Sequence, residues 1–249
     1  MRRYAKSTRR RRVINKKRLI LTIFLIVIGG ELVFALLTSP MFAVNHIKVV
    51  KNVNVSDKQV IQSLALPQDA NIFRIDRDSV LREVRRNPLV QEATLRRRIP
   101  STLIVQISER QPLFILSTSG VLYAVDPYGI PFRKEKALSP KLPVIFCQVR
   151  KRIVLGRPIR EAALNSAKEC LLLAQAKKVF QGIRITVDRK SDLCLNVRDG
   201  FQVRLGRPEQ LARKFDLAEQ VVKQTPGFQN RGEYIDVTCL EAPAFKLKD

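Results

Sequence analysis

One histidine, four cysteines and a scatter of carboxylates are the residues in this sequence whose types could carry out catalysis. His46 is the only histidine, so a Ser-His-Asp or Cys-His site would have to use it. It sits in "FAVNHIKVVK" (Phe42–Lys51), a β-branched stretch just behind a long apolar run, and reads as part of a first strand beside a membrane. Cys147, Cys170, Cys194 and Cys239 are spaced by 23, 24 and 45 residues. That fits neither a zinc motif nor a dense disulfide framework. Each lies in an apolar stretch, so buried free thiols are expected, with a disulfide as the alternative. Asp126, Asp188 and Asp236 fall in turns or at strand edges and read as caps and surface groups. Glu109 and Arg110, adjacent in sequence, read as an ion pair at a domain junction. Exposed pairs of that kind contribute under about 1 kcal/mol. No catalytic, cofactor-binding or metal-binding residue is expected.

The elements that hold these residues begin with a charge step. Ten Lys/Arg and no Asp/Glu occur from Met1 to Arg18; the apolar run from Leu19 to about Leu37 then contains one ionisable residue, Glu31. At about 1.5 Å per residue the run approaches the roughly 30 Å of a bilayer core. A signal-peptide core is shorter and ends in an A-x-A-like site; cleavage after Ala43 would put Met41 where a small residue belongs. A retained anchor is therefore expected, with a cleaved signal as the alternative. Positive flanking residues stay cytoplasmic, which places everything after Pro40 across the membrane. The net charge is +24, of which about +15 falls beyond the span. In that compartment nucleic acid is not the expected partner, and a chain without Trp offers no obvious stacking platform. Attraction to anionic lipid head groups or wall polymers explains the charge.

Beyond the span the pattern is α+β. Phe42–Lys51 reads as a strand. Ser56 with Gln59 forms a capping-box pair before a helix whose face carries Val60, Ile61 and Leu64, and Pro67 stops it. Asp76 caps a second helix with Val80, Leu81 and Val84 on one face, ended by Asn87-Pro88. Two strands follow, Val90–Arg97 and Thr102–Glu109, joined by Arg98-Ile99-Pro100-Ser101; Leu103, Val105 and Ile107 alternate with polar residues, as on a half-buried sheet. This is β-α-α-β-β in about 70 residues.

From Gln111 the pattern becomes short strands and turns. Ser119-Gly120 and Asp126-Pro127-Tyr128-Gly129 flank "VLYAV", and "LPVIF" is another strand. Gly156-Arg157-Pro158 is expected to open a helix reaching about Val179. "GIRITVD" is next. "DLCLNVRDGFQVRLG" reads as a hairpin with an Arg198-Asp199-Gly200 loop, Gly200 left-handed, pairing Val197 with Phe201, Leu195 with Val203 and Leu193 with Leu205. Pro208 opens a last helix with an apolar stripe of Leu211, Phe215, Ala218 and Val222, ended by Pro226-Gly227. "EYIDVTCL" and "AFKLK" close the chain as strands, which offers an unpaired sheet edge. The segments are thus 1–18 (basic tail), 19–39 (span), 40–111 and 112–249.

Read in order, these motifs resemble the FtsQ/DivIB family of bacterial cell-division proteins over nearly the whole chain. The resemblance rests on the basic tail and single span, "FAVNHIKVVKN", "NIFRID" and above all "NPLVQEATLRRRIPSTLIVQISERQP". In that stretch Asn87-Pro88, Arg97, Pro100, Leu103 and Glu109-Arg110-x-Pro112 fall in the family's order and spacing. "YAVDPYGIPF", "GRPEQLARKFDLAEQVV" and "YIDVTCLEAPAFK" complete it. Glu31 is unusual in a span, and Thr238 stands where an Arg often follows the "IDV" motif.

The resemblance implies a POTRA domain at 40–111 and an FtsQ-type β-domain at 112–249: a single transmembrane helix, then a β-α-α-β-β unit, then a mixed, mostly antiparallel sheet with helices. It implies a non-enzymatic scaffold in the cell membrane at the division septum, N-terminus cytoplasmic, without cofactor, nucleic acid or small-molecule substrate. The POTRA region would help recruitment, with Glu109, Arg110 and Pro112 at the junction. The β-domain would bind small bitopic partners of the FtsB/FtsL (DivIC) type, which regulate septal peptidoglycan synthesis. The implied docking edge is Ala244, Phe245, Lys246 and Leu247, backed by Tyr234, Ile235 and Val237; a frayed tail protected by Lys246 and Lys248 is the plainer alternative. A POTRA-bearing transport or secretion component, or a membrane-anchored cell-wall enzyme, are the competing functions.

Overall fold

Helix α1 runs from Lys16 to Thr38 in the computed structural model, which describes residues 16–67, 69–197 and 200–248. Most of the basic tail and the Arg198-Asp199 part of the expected loop lie outside the described residues. None of the 23 residues of α1 is buried, and its apolar window has a mean hydropathy of 2.7. At about 1.5 Å per residue it is long enough to cross a bilayer. Lys16, Lys17 and Arg18, the first described residues, are already helical, ahead of the apolar run. The helix ends at Thr38 because Ser39, preceding Pro40, is driven into the extended region (φ −65°, ψ 130°). One 3-10 turn, Pro40–Phe42, then leads to the first sheet.

That sheet has three strands, β1 (His46–Val50), β2 (Val90–Arg98) and β3 (Thr102–Glu109), in the order β1-β3-β2. β1 is parallel to β3 and β2 antiparallel to it. Two helices, α2 (Asp57–Ser63) and α3 (Arg77–Arg85), cover one face. Val60, Leu64, Val80, Leu81 and Val84 from the helices pack against Ala93, Leu95, Leu103, Val105 and Ile107 from the strands. The expected order β-α-α-β-β is the observed one. Asp76 caps α3 by accepting the N–H groups of Asp78 (3.1 Å) and Ser79 (3.3 Å), an interaction of about 1 kcal/mol. The capping box expected at Ser56 is not formed: Ser56 occupies the cap position but its side chain makes no cap hydrogen bond. The entry to α2 is fixed instead by Asn52, which donates to Val55 O and to Asp57 Oδ1.

The second sheet has nine strands: β4 (Phe114–Thr118), β5 (Val121–Val125), β6 (Pro131–Glu135), β7 (Val144–Phe146), β8 (Arg184–Val187), β9 (Leu193–Asn196), β10 (Gln202–Gly206), β11 (Gly232–Asp236) and β12 (Ala244–Leu247). Their order is β12-β11-β10-β9-β8-β7-β4-β5-β6. The pairings β10–β11, β7–β8 and β4–β7 are parallel and the other five antiparallel. Helices α4 (Ala162–Ala176) and α5 (Leu211–Gln224) bury their apolar stripes on one face, and a short α6 (Phe228–Arg231) precedes β11. Where the other face is also covered, consecutive residues of β4 (Phe114, Ile115, Leu116) are all buried, as in a sheet packed on both sides.

Two helix starts differ from expectation. α4 begins at Ala162, not near Pro158, because the preceding backbone bonds elsewhere: Gly156 N–H donates to Pro131 O (2.8 Å) and Ile159 N–H to Gly129 O (3.1 Å). α5 begins at Leu211 because Gln210 is left-handed, with φ 53°. In the β9–β10 hairpin Leu195 faces Val203 as expected, and Val197 N–H reaches Phe201 O. Leu193, however, pairs with Gly206 rather than Leu205, because of a bulge between Arg204 and Gly206. Gly206 has φ 63°, and a Cβ there would lie 2.7 Å from Thr238 Cγ2. That close approach demands glycine.

Candidate partner-binding edge and domain junction

Among the described residues, strand β12 lies at one end of the nine-stranded order and pairs on one side only, with β11. The register sets Asp236 opposite Ala244, Ile235 opposite Phe245 and Tyr234 opposite Lys246. The turn before it is held by Asp236, whose Oδ1 accepts Thr238 N–H at 3.0 Å. Alternation along a strand decides which backbone groups remain open. Val237 N–H donates back to β10 at Arg204 O (3.0 Å), and Lys248 N–H donates to Arg231 O (2.7 Å). Counting by two from each, Tyr234 and Asp236 face β12, and Lys246 and Ala244 face β11. The N–H and C=O groups of Phe245 and Leu247 therefore point away from the sheet.

The side chains sort by face. Ile235 and Val237 are fully buried, so they support the edge and are not themselves reachable. Tyr234 is half-buried and lies under the Arg204 guanidinium, 4.2 Å from its ring centroid. Lys246 pairs with Glu233 at 2.7 Å, which holds its ammonium above its ordinary pKa, and both side chains are exposed. Phe245 is 49% exposed. Its ring meets Phe228 edge-on at 5.8 Å, and Phe228, Phe201, Phe180 and Phe215 continue the edge-to-face chain to the centre of the core. One end of that chain is open to solvent and the other is fully buried.

The second feature lies between the sheets. Glu109 and Arg110 do not pair with each other, contrary to the sequence expectation. Glu109 ends β3 and Arg110 follows it, so along extended backbone their side chains point to opposite sides and take different partners. The Glu109 carboxylate accepts the N–H groups of Val53 (2.6 Å), Asn54 (2.8 Å) and Val55 (2.9 Å), and Asn54 Nδ2 at 2.8 Å. Burial alone would raise its pKa, but the donors at Val53, Val55 and Asn54 outweigh that and hold it below the usual carboxylate value. Arg110 turns the other way. Its Nη1 meets Asp126 Oδ2 at 2.5 Å, its Nε donates to Pro88 O at 3.1 Å, and its N–H donates to Leu89 O at 2.8 Å.

Asp126 is consequently not the surface group expected, being 1% exposed. Its other oxygen accepts Tyr128 and Ile130 N–H, each at 2.9 Å, and so holds the β5–β6 turn. Asp188 does the same for Lys190 and Asp192 at 2.8 Å, as a turn cap should. Leu89 packs against the cores of both sheets, and Pro88 lies 3.6 Å from where a Gly156 Cβ would be. Pro112 is half-buried beside this contact. The four thiols are free, and Cys147 and Cys170 are buried as expected, but Cys194 is half-buried and Cys239 exposed. Burial pushes the Cys170 thiol up to about 12.

One residue escaped the sequence reading. Lys214, in the middle of the α5 stripe, is 4% exposed and donates to Leu205 O (2.7 Å) and Arg207 O (2.8 Å). It ties the loop after β10 to α5 and so backs the strand next to β11.

These elements make a POTRA-type unit behind an apolar helix, tied through Arg110 to a mixed sheet that ends, among the described residues, in an open edge. A family model for the POTRA domain, FtsQ-type, matches residues 42–110, and one for the cell division protein FtsQ/DivIB, C-terminal, matches residues 115–238. The chain belongs to the FtsQ/DivIB family of cell-division proteins. It is 26% identical over 231 residues to the cell division protein DivIB of Clostridium tetani, covering 90% of this chain and 87% of that protein. It is 23% identical over 258 residues to DivIB of Clostridium botulinum (98% and 96%). To the cell division protein FtsQ of Syntrophotalea carbinolica it is 24% identical over 229 residues (88% and 78%). Strand β12 lies beyond the residues matched by the C-terminal family model.

Proposed function

We propose that this chain is a non-enzymatic, single-pass scaffold of the division machinery. In this reading Met1–Arg18 is cytoplasmic, 19–39 is the span, and the POTRA domain (40–111) and β-domain (112–249) lie outside the cytoplasmic membrane at the septum. Small bitopic division proteins of the FtsB/FtsL (DivIC) type bind by adding a strand to β12. The outward backbone of Phe245 and Leu247 supports this reading most directly. Unpaired N–H and C=O groups on an edge are a template for another strand, with alternate side chains giving specificity. Ala244, Phe245, Lys246 and Leu247 make the contact; Tyr234, Ile235 and Val237 hold the strand behind it. Glu109, Arg110 and Pro112 set the angle between the two domains and, through it, the presentation of the recruiting unit. The carboxylates a catalytic reading would use, Asp126, Asp188 and Asp236, are engaged by backbone N–H groups of their own turns, which favours a structural role.

The test is binding of a bitopic partner's extracytoplasmic segment to the detergent-solubilised full chain, compared with a variant lacking residues 243–249. Loss of binding with membrane insertion intact is the expected result. Equal affinities would move the contact to the POTRA domain or the span.

A further inference from the structure

The β2–β3 hairpin tip stands beside the end of the span. Asn71 Nδ2 donates to Leu36 O in the last turns of α1 (3.0 Å). Asn45, which with Leu37, Thr38 and Arg74 lines the cleft at that junction, donates through its N–H to Ser101 O (3.0 Å). Ser101 is the last residue of the tip, so the tip is one hydrogen bond from a residue bordering the membrane exit. The register then gives the composition of the open sheet face at this end. Arg98 and Thr102 share a rung with His46, and Arg96 and Ile104 share the next with Lys48. Arg97, on the opposite face, donates to Ile75 O at 2.7 Å and anchors the tip. Ile99 at the tip is 62% exposed and Met41, in the turn leaving the span, 68%.

Lone exposed apolar residues are ordinary. Here, however, two of them lie where the chain leaves a bilayer, flanked by a short run of arginines. Apolar groups that enter the acyl boundary, with cationic groups at head-group level, are how peripheral surfaces hold to anionic lipid. We propose that this end of the POTRA sheet rests on the anionic lipid surface around the span, with Ile99 inserted and Arg96, Arg98 and Lys48 on lipid phosphates. The consequence is a POTRA domain held down on the membrane rather than swinging from Ser39–Ala43. The inference rests on α1 crossing the membrane, as proposed above.

The chain contains no tryptophan, so Ile99→Trp gives a single fluorescent reporter at an exposed site. The full-length variant is reconstituted into vesicles of phosphatidylglycerol with phosphatidylcholine, or of phosphatidylcholine alone, with and without brominated lipid. The expected result is a blue-shifted, bromine-quenched indole in the anionic vesicles only. Each arginine removed from the Arg96/Arg98 pair should lower the bound-to-free ratio about fivefold, and raised salt should lower it too. A reporter at Val53, which is 87% exposed beyond the far end of β1, should stay unquenched throughout. A solvent-exposed indole at position 99 in both lipids would overturn the proposal. So would a shift produced in phosphatidylcholine vesicles by soluble polyglycerol phosphate, which would make a wall-type polymer the occupant. Phe24→Trp in α1 separates the two readings, because it fails to quench in any vesicle only if the helix does not insert.

Discussion

Arg110 and Asp126 meet at 2.5 Å with side chains 12% and 1% exposed, and the residue before that arginine faces the other way to grip the loop at Val53–Val55. Glu109 thus closes a loop inside the POTRA domain, and Arg110 ties that domain, at Pro88 and Leu89, to Asp126 of the β-domain. An ion pair this buried gives little net stability by itself, because desolvation offsets the attraction. Its effect is positional: directed hydrogen bonds from Arg110 hold Asp126 beside Pro88 and Leu89.

Breaking the pair on one side should therefore be costly. Arg110→Met leaves a carboxylate uncompensated in a buried turn, and a loss of about 3–5 kcal/mol is expected. Asp126→Asn keeps an oxygen for Tyr128 and Ile130 N–H, so the double variant should lose less than the sum of the singles. Denaturant unfolding of the solubilised chain measures this cycle. Strict additivity would show that the two side chains are not energetically coupled.

Glu109 makes the hold on the Val53–Val55 loop acid-sensitive. Its folded pKa lies below the unfolded value, so its contribution is full above the ordinary carboxylate pKa of about 4.3. That contribution is lost as pH falls through the lower, folded pKa. Amide exchange at Val53, Asn54 and Val55, corrected for the intrinsic pH dependence, should accelerate in that window. Glu109→Gln should exchange faster even at neutral pH and lose the acid dependence. An unchanged acid response in Glu109→Gln would assign it to another group.

The thiols report topology. Thiolate is the reactive form. With a pKa of about 12 and full burial, Cys170 presents roughly one thiolate in ten thousand at pH 8. Cys239 is exposed and should react with a membrane-impermeant maleimide in intact spheroplasts within minutes, while Cys170 stays unlabelled until denaturation. Labelling of Cys239 only after lysis would place the β-domain in the cytoplasm and reverse the proposed orientation.

Much of the architecture was legible because it follows from period. Leu103, Val105 and Ile107 alternate, and Leu211, Phe215, Ala218 and Val222 repeat helically, and all seven are buried. What was hidden depends on partners distant in sequence. α4 starts late because Gly156 and Ile159 bond to the β5–β6 turn region, and no local signal announces that. Lys214 interrupts an apolar stripe and still goes inside, because the β10–α5 loop offers two carbonyls. Asp126 looks like any turn aspartate until Arg110 arrives from the other domain. The pairing of Glu109 with Arg110 could have been doubted from sequence: Glu109 ends an extended strand and Arg110 follows it directly, so adjacent side chains diverge. The edge itself was visible as a last short strand; which of its amides stay open came only from the hydrogen bonds at Val237 and Lys248.

That parity gives the sharpest test of strand addition. Phe245 N–H points outward, so Phe245→Pro removes a donor that the proposed strand addition would use while leaving the β11–β12 bonds of Ala244 and Lys246 in place. Lys246→Pro removes an inward donor, so it should detach β12 from Tyr234. The first variant should keep the fold and lose partner binding; the second should lose binding together with protection of β12 in amide exchange. Phe245→Ala keeps every backbone group but takes away the exposed end of the phenylalanine chain. Its expected cost is about 1–3 kcal/mol in affinity if the ring is covered by the partner. Lys246→Glu puts a like charge opposite Glu233 and should act mainly on association, with an effect that shrinks as salt is raised. Titration of the partner segment into each solubilised variant measures all four. Full binding by Phe245→Pro would mean that no strand is added at this edge.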